Sequence, residues 1–151
     1  MKVRLPLNFD PERLRDDLQH VQSEEWITHY NPGDHEGNWM LAALRSPAGS
    51  TQGIYSTSLP NICRPTPLLE RCGYFREVLE AIPVKMASVR LMKLDAGAII
   101  REHSDSFADE EVRIHVPVTT NPEVEFYLEG NRVEMEAGSC WYLDFRLPHN
   151  V

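Results

Sequence analysis

The sequence predicts a mainly β protein, a sandwich or barrel of the jelly-roll kind with N-terminal helices packed on it. Three observations predict this. From residue 87 onward the hydrophobic period is two, and six short segments alternate between turn residues. Before that point, two stretches join helix-start chemistry to apolar residues at helical spacing. The chain has 151 residues, enough for one substantial core and the size of one ordinary domain. The expected layout is therefore a single domain, 1–151, with a helix- and loop-rich part over 1–86 and a β core over 87–151.

Residues 3–7, VRLPL, alternate and read as an opening strand. NFDPERLRDDLQHV then carries a helix start: Asp10 as N-cap, Pro11 at the first position, and Leu14, Leu18 and Val21 on one face. Residues 31–61 are rich in Gly, Pro, Ser and Asn, with Trp39, Met40 and Leu41 as their strong apolar cluster. They read as loops and short strands, where binding residues often sit. Thr66-Pro67 is a second cap, followed by Leu68, Cys72, Phe75, Leu79 and Ile82 at helical spacing up to Pro83. Gly73 is a candidate break within it. The six strand candidates are Val89–Leu94, Ile99–Glu102, Val112–Val118, Val124–Leu128, Arg132–Glu136 and Cys140–Asp144. Turn residues at 95–97, 120–122, 129–131 and 137–138 separate them.

Composition excludes several classes of partner. Hydrophobic content of 42% and charged content of 25% are those of a soluble globular protein. No stretch approaches the ~20 apolar residues that span a bilayer. The N-terminus MKVRLPLNFD has no long apolar segment of the signal-peptide type, so a cytoplasmic location is expected. A net charge of −8 without a basic stripe argues against nucleic acid. Cys63, Cys72 and Cys140 are odd in number and lack a CxxC pair, so they read as free thiols.

The chemistry concentrates in REHSDSFADEEVRIHVPV, residues 101–118. His103 and Asp105 lie two apart, so on an extended strand they share a face while Ser104 points away. An imidazole and a carboxylate so placed can take adjacent positions on a metal. His149, beyond the last strand and next to Pro148, is the candidate third ligand. Two His and one carboxylate form the facial triad of non-haem Fe(II) oxygenases. Zinc suits the same donors, and the plainer alternative is a surface ion pair. Arg113 and His115 also share a face, which inside a barrel points to an anionic ligand and on an open sheet to solvent.

Three runs carry a resemblance: VRLMKLDAGAIIREHSD, VRIHVPVTTNPEVEFYLEG and GSCWYLDFRLPHNV. They resemble the aspartyl/asparaginyl β-hydroxylase family of Fe(II)- and 2-oxoglutarate-dependent dioxygenases, which includes bacterial free-proline hydroxylases. The likeness covers nearly all of 87–151 in order, and the N-terminal half only in layout, through the Trp39 region and Thr66-Pro67-Leu68. It implies a double-stranded β-helix, Fe(II) on His103, Asp105 and His149, and 2-oxoglutarate and O₂ as co-substrates. It implies hydroxylation of an amino acid or a peptidyl side chain. It also implies that His115 contacts 2-oxoglutarate; Arg113, on the same face in the RIHVPV alternation, is then expected to support the co-substrate or the substrate.

Two features depart from the family. Met92 stands where the family has a co-substrate-binding serine, and Arg90, two residues earlier on the same face, is the alternative contact. The family's 2-oxoglutarate arginine lies one strand beyond the distal histidine. The resemblance thus implies a barrel short of its final strand and a natural chain continuing past Val151. A non-catalytic cupin-like barrel binding a metal or small acid is the competing reading. A zinc hydrolase is the third, without an evident general base.

Overall fold

The computed structural model describes residues 1–107 and 110–151. It is mainly β, with twelve short antiparallel strands and three α-helices among the described residues. The strands are β1 (Lys2–Asn8), β2 (Ile27–Thr28), β3 (His35–Glu36), β4 (Trp39–Pro47), β5 (Cys63–Pro65), β6 (Val89–Leu94), β7 (Ile99–Ile100), β8 (Ile114–His115), β9 (Tyr127–Leu128), β10 (Asn131–Arg132), β11 (Ser139–Leu143) and β12 (His149–Asn150). The helices are α1 (Pro11–Leu18), α2 (Pro67–Arg71) and α3 (Gly73–Ala81).

The helix starts are those the sequence marks. Asp10 accepts hydrogen bonds from the backbone N–H groups of Glu12 and Arg13, and Thr66 Oγ1 accepts from Leu69 N. The predicted break falls at Cys72, between α2 and α3. Cys72 gives α3 no side-chain cap. Asp17 supplies it from α1 instead: its buried Oδ2 accepts from Phe75 N at 2.8 Å. Glu25 is likewise buried, and it is matched by Arg71 Nη2 at 2.6 and 2.7 Å from its two oxygens.

β11 lies between β1 and β8, so the opening strand closes onto the C-terminal part of the chain. Gly138 seals that junction. It has φ +81°, and a Cβ there would fall 2.1 Å from Phe9 O, so only glycine fits. β4 pairs with β2, β5 and β6. It corrects the reading of 31–61 as loops and short strands: nine residues of it form the longest strand, and Leu41, Ala42, Ala43, Leu44 and Ser46 are buried. Both its faces are covered, so its sequence has no two-residue alternation to read. The strands predicted over 112–118, 124–128 and 132–136 shrink to pairs of ladder residues.

Two apolar cores result. The larger joins Leu14, Leu44, Leu68, Phe75, Val78 and Leu91 between the helices and the sheets. The smaller, around Leu128, Val133 and Leu143, takes in Phe126 and Phe145 beneath the C-terminal strands. The sheets do not close on one another among the described residues. The three cysteines are free and buried. Among the described residues, no helix is long and apolar enough to cross a membrane.

Candidate metal centre

His103, Asp105 and His149 meet because the backbone pairs their segments. His103 and His149 are an antiparallel bridge, each N–H donating to the other's carbonyl at 3.1 and 2.9 Å. Side chains of such a directly opposed pair stand on one face, and the ring centroids are 4.4 Å apart. β12 is held from its other side by β9, through His149 opposite Leu128. Asp105 N donates to Phe145 O at 2.8 Å, which fixes the carboxylate's segment to the one leading into His149. One ligand atom from each residue lies within 4.8 Å of the others, and this is the metal-capable trio among the described residues.

The two imidazoles are set for ligation by the same device. His103 Nδ1 is 2.7 Å from Arg101 O, and His149 Nδ1 is 3.0 Å from Leu147 O. A carbonyl only accepts, so Nδ1 carries the proton and donates in both rings. The neutral tautomer that remains offers its lone pair at Nε2, as metal-bound histidines do. Burial lowers the His149 pKa, against the opposing hydrogen bond to Leu147 O, and so favours the neutral, ligating form. Asp105 Oδ1 faces His103 Nε2 at 3.6 Å. Two imidazoles with Nδ1 tied to backbone carbonyls and a carboxylate thus fit a divalent metal, and by donor set they fit iron or zinc.

Arg113, on the approach to β8, turns its guanidinium to this carboxylate. Nη1 donates to Asp105 Oδ2, Nε to Glu111 Oε1 at 3.3 Å, and Nη2 to Ser56 Oγ at 3.2 Å. His115 stands beside the trio through Phe145, whose ring lies 4.5 Å from His115 and 4.0 Å from His149. The residue is only half-buried as a whole, yet its Nε2 is sealed from solvent and has no hydrogen-bond partner. Burial, with Arg113 adding repulsion, pushes its pKa down to about 4. Arg90 donates to Ile54 O at 2.9 Å, and its pKa is lowered first by burial. No carboxylate among the described residues pairs with it within ion-pair distance. Arg101 and Arg146 are engaged elsewhere, with Glu36 at 2.6 Å and Asp144 at 2.7 Å.

A family model for aspartyl/asparaginyl beta-hydroxylase matches residues 8–151, nearly the whole chain. The chain belongs to this family. It is also similar to the L-proline cis-4-hydroxylase of Rhizobium meliloti (strain 1021), at 27% identity over 96% of the chain. The chain spans about half of that relative, 53% of its length. This is accordingly a member of a hydroxylase family with a distant proline hydroxylase relative.

In this hydroxylase-family chain the trio, Arg90, Arg113 and His115 all line one cavity, and half-exposed Met92 lies along it. The cavity measures about 2610 Å³. That is several times the ~300–1,000 Å³ of a ligand pocket, because the sheets stay open and the space runs on to Leu14 and Phe75. Sequence reasoning missed two groups here. Phe145 stacks on His149 with its ring plane within 15°, but its spacing reads as that of any core aromatic. Ser56 reaches Arg113 across 57 positions of sequence, and no local pattern signals such a contact.

Proposed function

We propose that the chain is an Fe(II)- and 2-oxoglutarate-dependent hydroxylase with the double-stranded β-helix architecture, acting on an amino acid or a peptidyl side chain. The observation that carries the reading is the pair of histidines with Nδ1 held by backbone carbonyls and Nε2 turned, with Asp105, to one point. His103, Asp105 and His149 would hold the metal. When bound, the iron and 2-oxoglutarate would let O₂ oxidise a C–H bond, one oxygen atom going to the new hydroxyl and the other to succinate as CO₂ is released.

The chain's own residues do the rest. The backbone bridge of His103 to His149 sets the angle between two ligands before the metal arrives. Phe145 covers one face of His149 and keeps water from it. His115 presents a neutral imidazole, whose unpartnered Nε2 suits a hydrogen bond to a co-substrate oxygen. Arg90 is a mostly enclosed cation that no carboxylate among the described residues pairs with at ion-pair distance, a setting that suits a ligand carboxylate. That carboxylate is either one of 2-oxoglutarate's or that of an amino-acid substrate, and the distant relative makes free L-proline the first to assay.

The test is succinate formation from 2-oxoglutarate with Fe(II), with and without pooled amino acids. Wild type should turn over and His103→Ala should not. Iron binding without turnover under any substrate would instead leave a metal-binding module.

A further inference from the structure

We propose that Arg113 is the positioning residue of Asp105, and that the connection between β4 and β5 holds Arg113 in place. The inference rests on the metal reading above and adds what fixes the carboxylate. A carboxylate has two equivalent oxygens and turns easily about its last torsion. Bound only by a metal, it can use one oxygen or both. Here the choice is made in advance: Oδ1 faces His103 Nε2, while Oδ2 is taken by Arg113 Nη1.

The guanidinium that makes this tie is itself immobilised. Nε is spent on Glu111 and Nη2 on Ser56, and the Phe107 ring covers its face at 4.4 Å from Cζ. Ser56 in turn belongs to a segment stitched down at consecutive residues. Ile54 O accepts from Arg90 at 2.9 Å, and the Tyr55 ring lies 4.6 Å from that of Tyr30. Thr57 N donates to Ser88 Oγ at 3.0 Å, and Ser88 Oγ donates to Thr57 O at 3.2 Å. One side chain thus joins this strap to the carboxylate. Partners of this kind typically govern metal affinity by about 10- to 100-fold.

The experiment measures Co(II) binding to the full chain without 2-oxoglutarate, so that any role of Arg113 toward the co-substrate cannot move the result. Affinity comes from competition with a chromophoric chelator and coordination from the visible spectrum. Arg113→Met should weaken Co(II) by about 10- to 100-fold and change the spectrum. Arg113→Lys should recover part of the loss, and Ser56→Ala should show a smaller loss of the same kind. Arg113→Met with unchanged affinity and spectrum, or with tighter binding, overturns the proposal. If Arg113→Met does not fold, Arg113→Lys and Ser56→Ala decide, and wild-type behaviour in both overturns it. A wild-type protein that binds no Co(II), or that His103→Ala matches, sinks the metal reading itself. An unaltered Arg113 variant beside a metal-binding wild type sinks this inference alone.

Discussion

Replacing His115 by Phe should remove a specific acid sensitivity from the fold. Its imidazole is held neutral because Nε2 is sealed and unpartnered, so its pKa falls to about 4 in the folded chain. In the unfolded chain the ring returns to ~6.5. The sign follows from proton counting. As pH drops below 6.5 the unfolded state takes up a proton that the folded state refuses, so stability falls until pH reaches about 4 and then levels off. Across that window the two values set a loss of about 3 kcal/mol at most, of which about 2 kcal/mol has accrued by pH 5. That is a sizeable part of the ~5–15 kcal/mol that holds a domain folded. Phenylalanine keeps a ring against Phe145 and cannot titrate. Urea unfolding of the metal-free protein at pH 7.5 and pH 5 is the assay. Wild type should lose about 2 kcal/mol more than His115→Phe between the two, since the titrations common to both cancel. Parallel losses in the two proteins would show that the ring has a partner or is wet, and the sealed-imidazole account would fail.

Asp17→Ala should destabilise the chain by about 1–3 kcal/mol, because it strips the cap from α3 and leaves Phe75 N buried without an acceptor. Asp17→Asn, which keeps an acceptor, should restore most of it in the same thermal melt. Gly138→Ala should cost about 1–3 kcal/mol from its backbone angle alone and more from the contact with Phe9 O. A melting temperature within a degree of wild type would show that the β1–β11 junction relaxes freely.

The fold was legible where chemistry is local. Asp10-Pro11 and Thr66-Pro67 mark helix starts because capping is a matter of adjacent residues, and the break expected at Gly73 falls one residue earlier, at Cys72. β4 was hidden because a strand covered on both faces has no alternation. The spacing of His103 and Asp105 was legible, but β7 ends at Ile100 and Asp105 lies outside any strand, so their union with His149 depends on a bridge between segments 46 positions apart. The cap that Asp17 lends to α3 and the reach of Ser56 to Arg113 are likewise long-range, at separations of 58 and 57 residues. Such contacts are created by packing, and nothing in the neighbouring residues specifies them.

The central claim is that one Fe(II) sits among His103, Asp105 and His149. Anomalous diffraction at the iron edge, from crystals loaded with Fe(II) without oxygen, tests it most directly. The account predicts a single strong peak in contact with Nε2 of both histidines and with Oδ1 of Asp105, Oδ2 staying on Arg113. A peak elsewhere, or an iron at this point that persists in His103→Ala with the same occupancy, would contradict it.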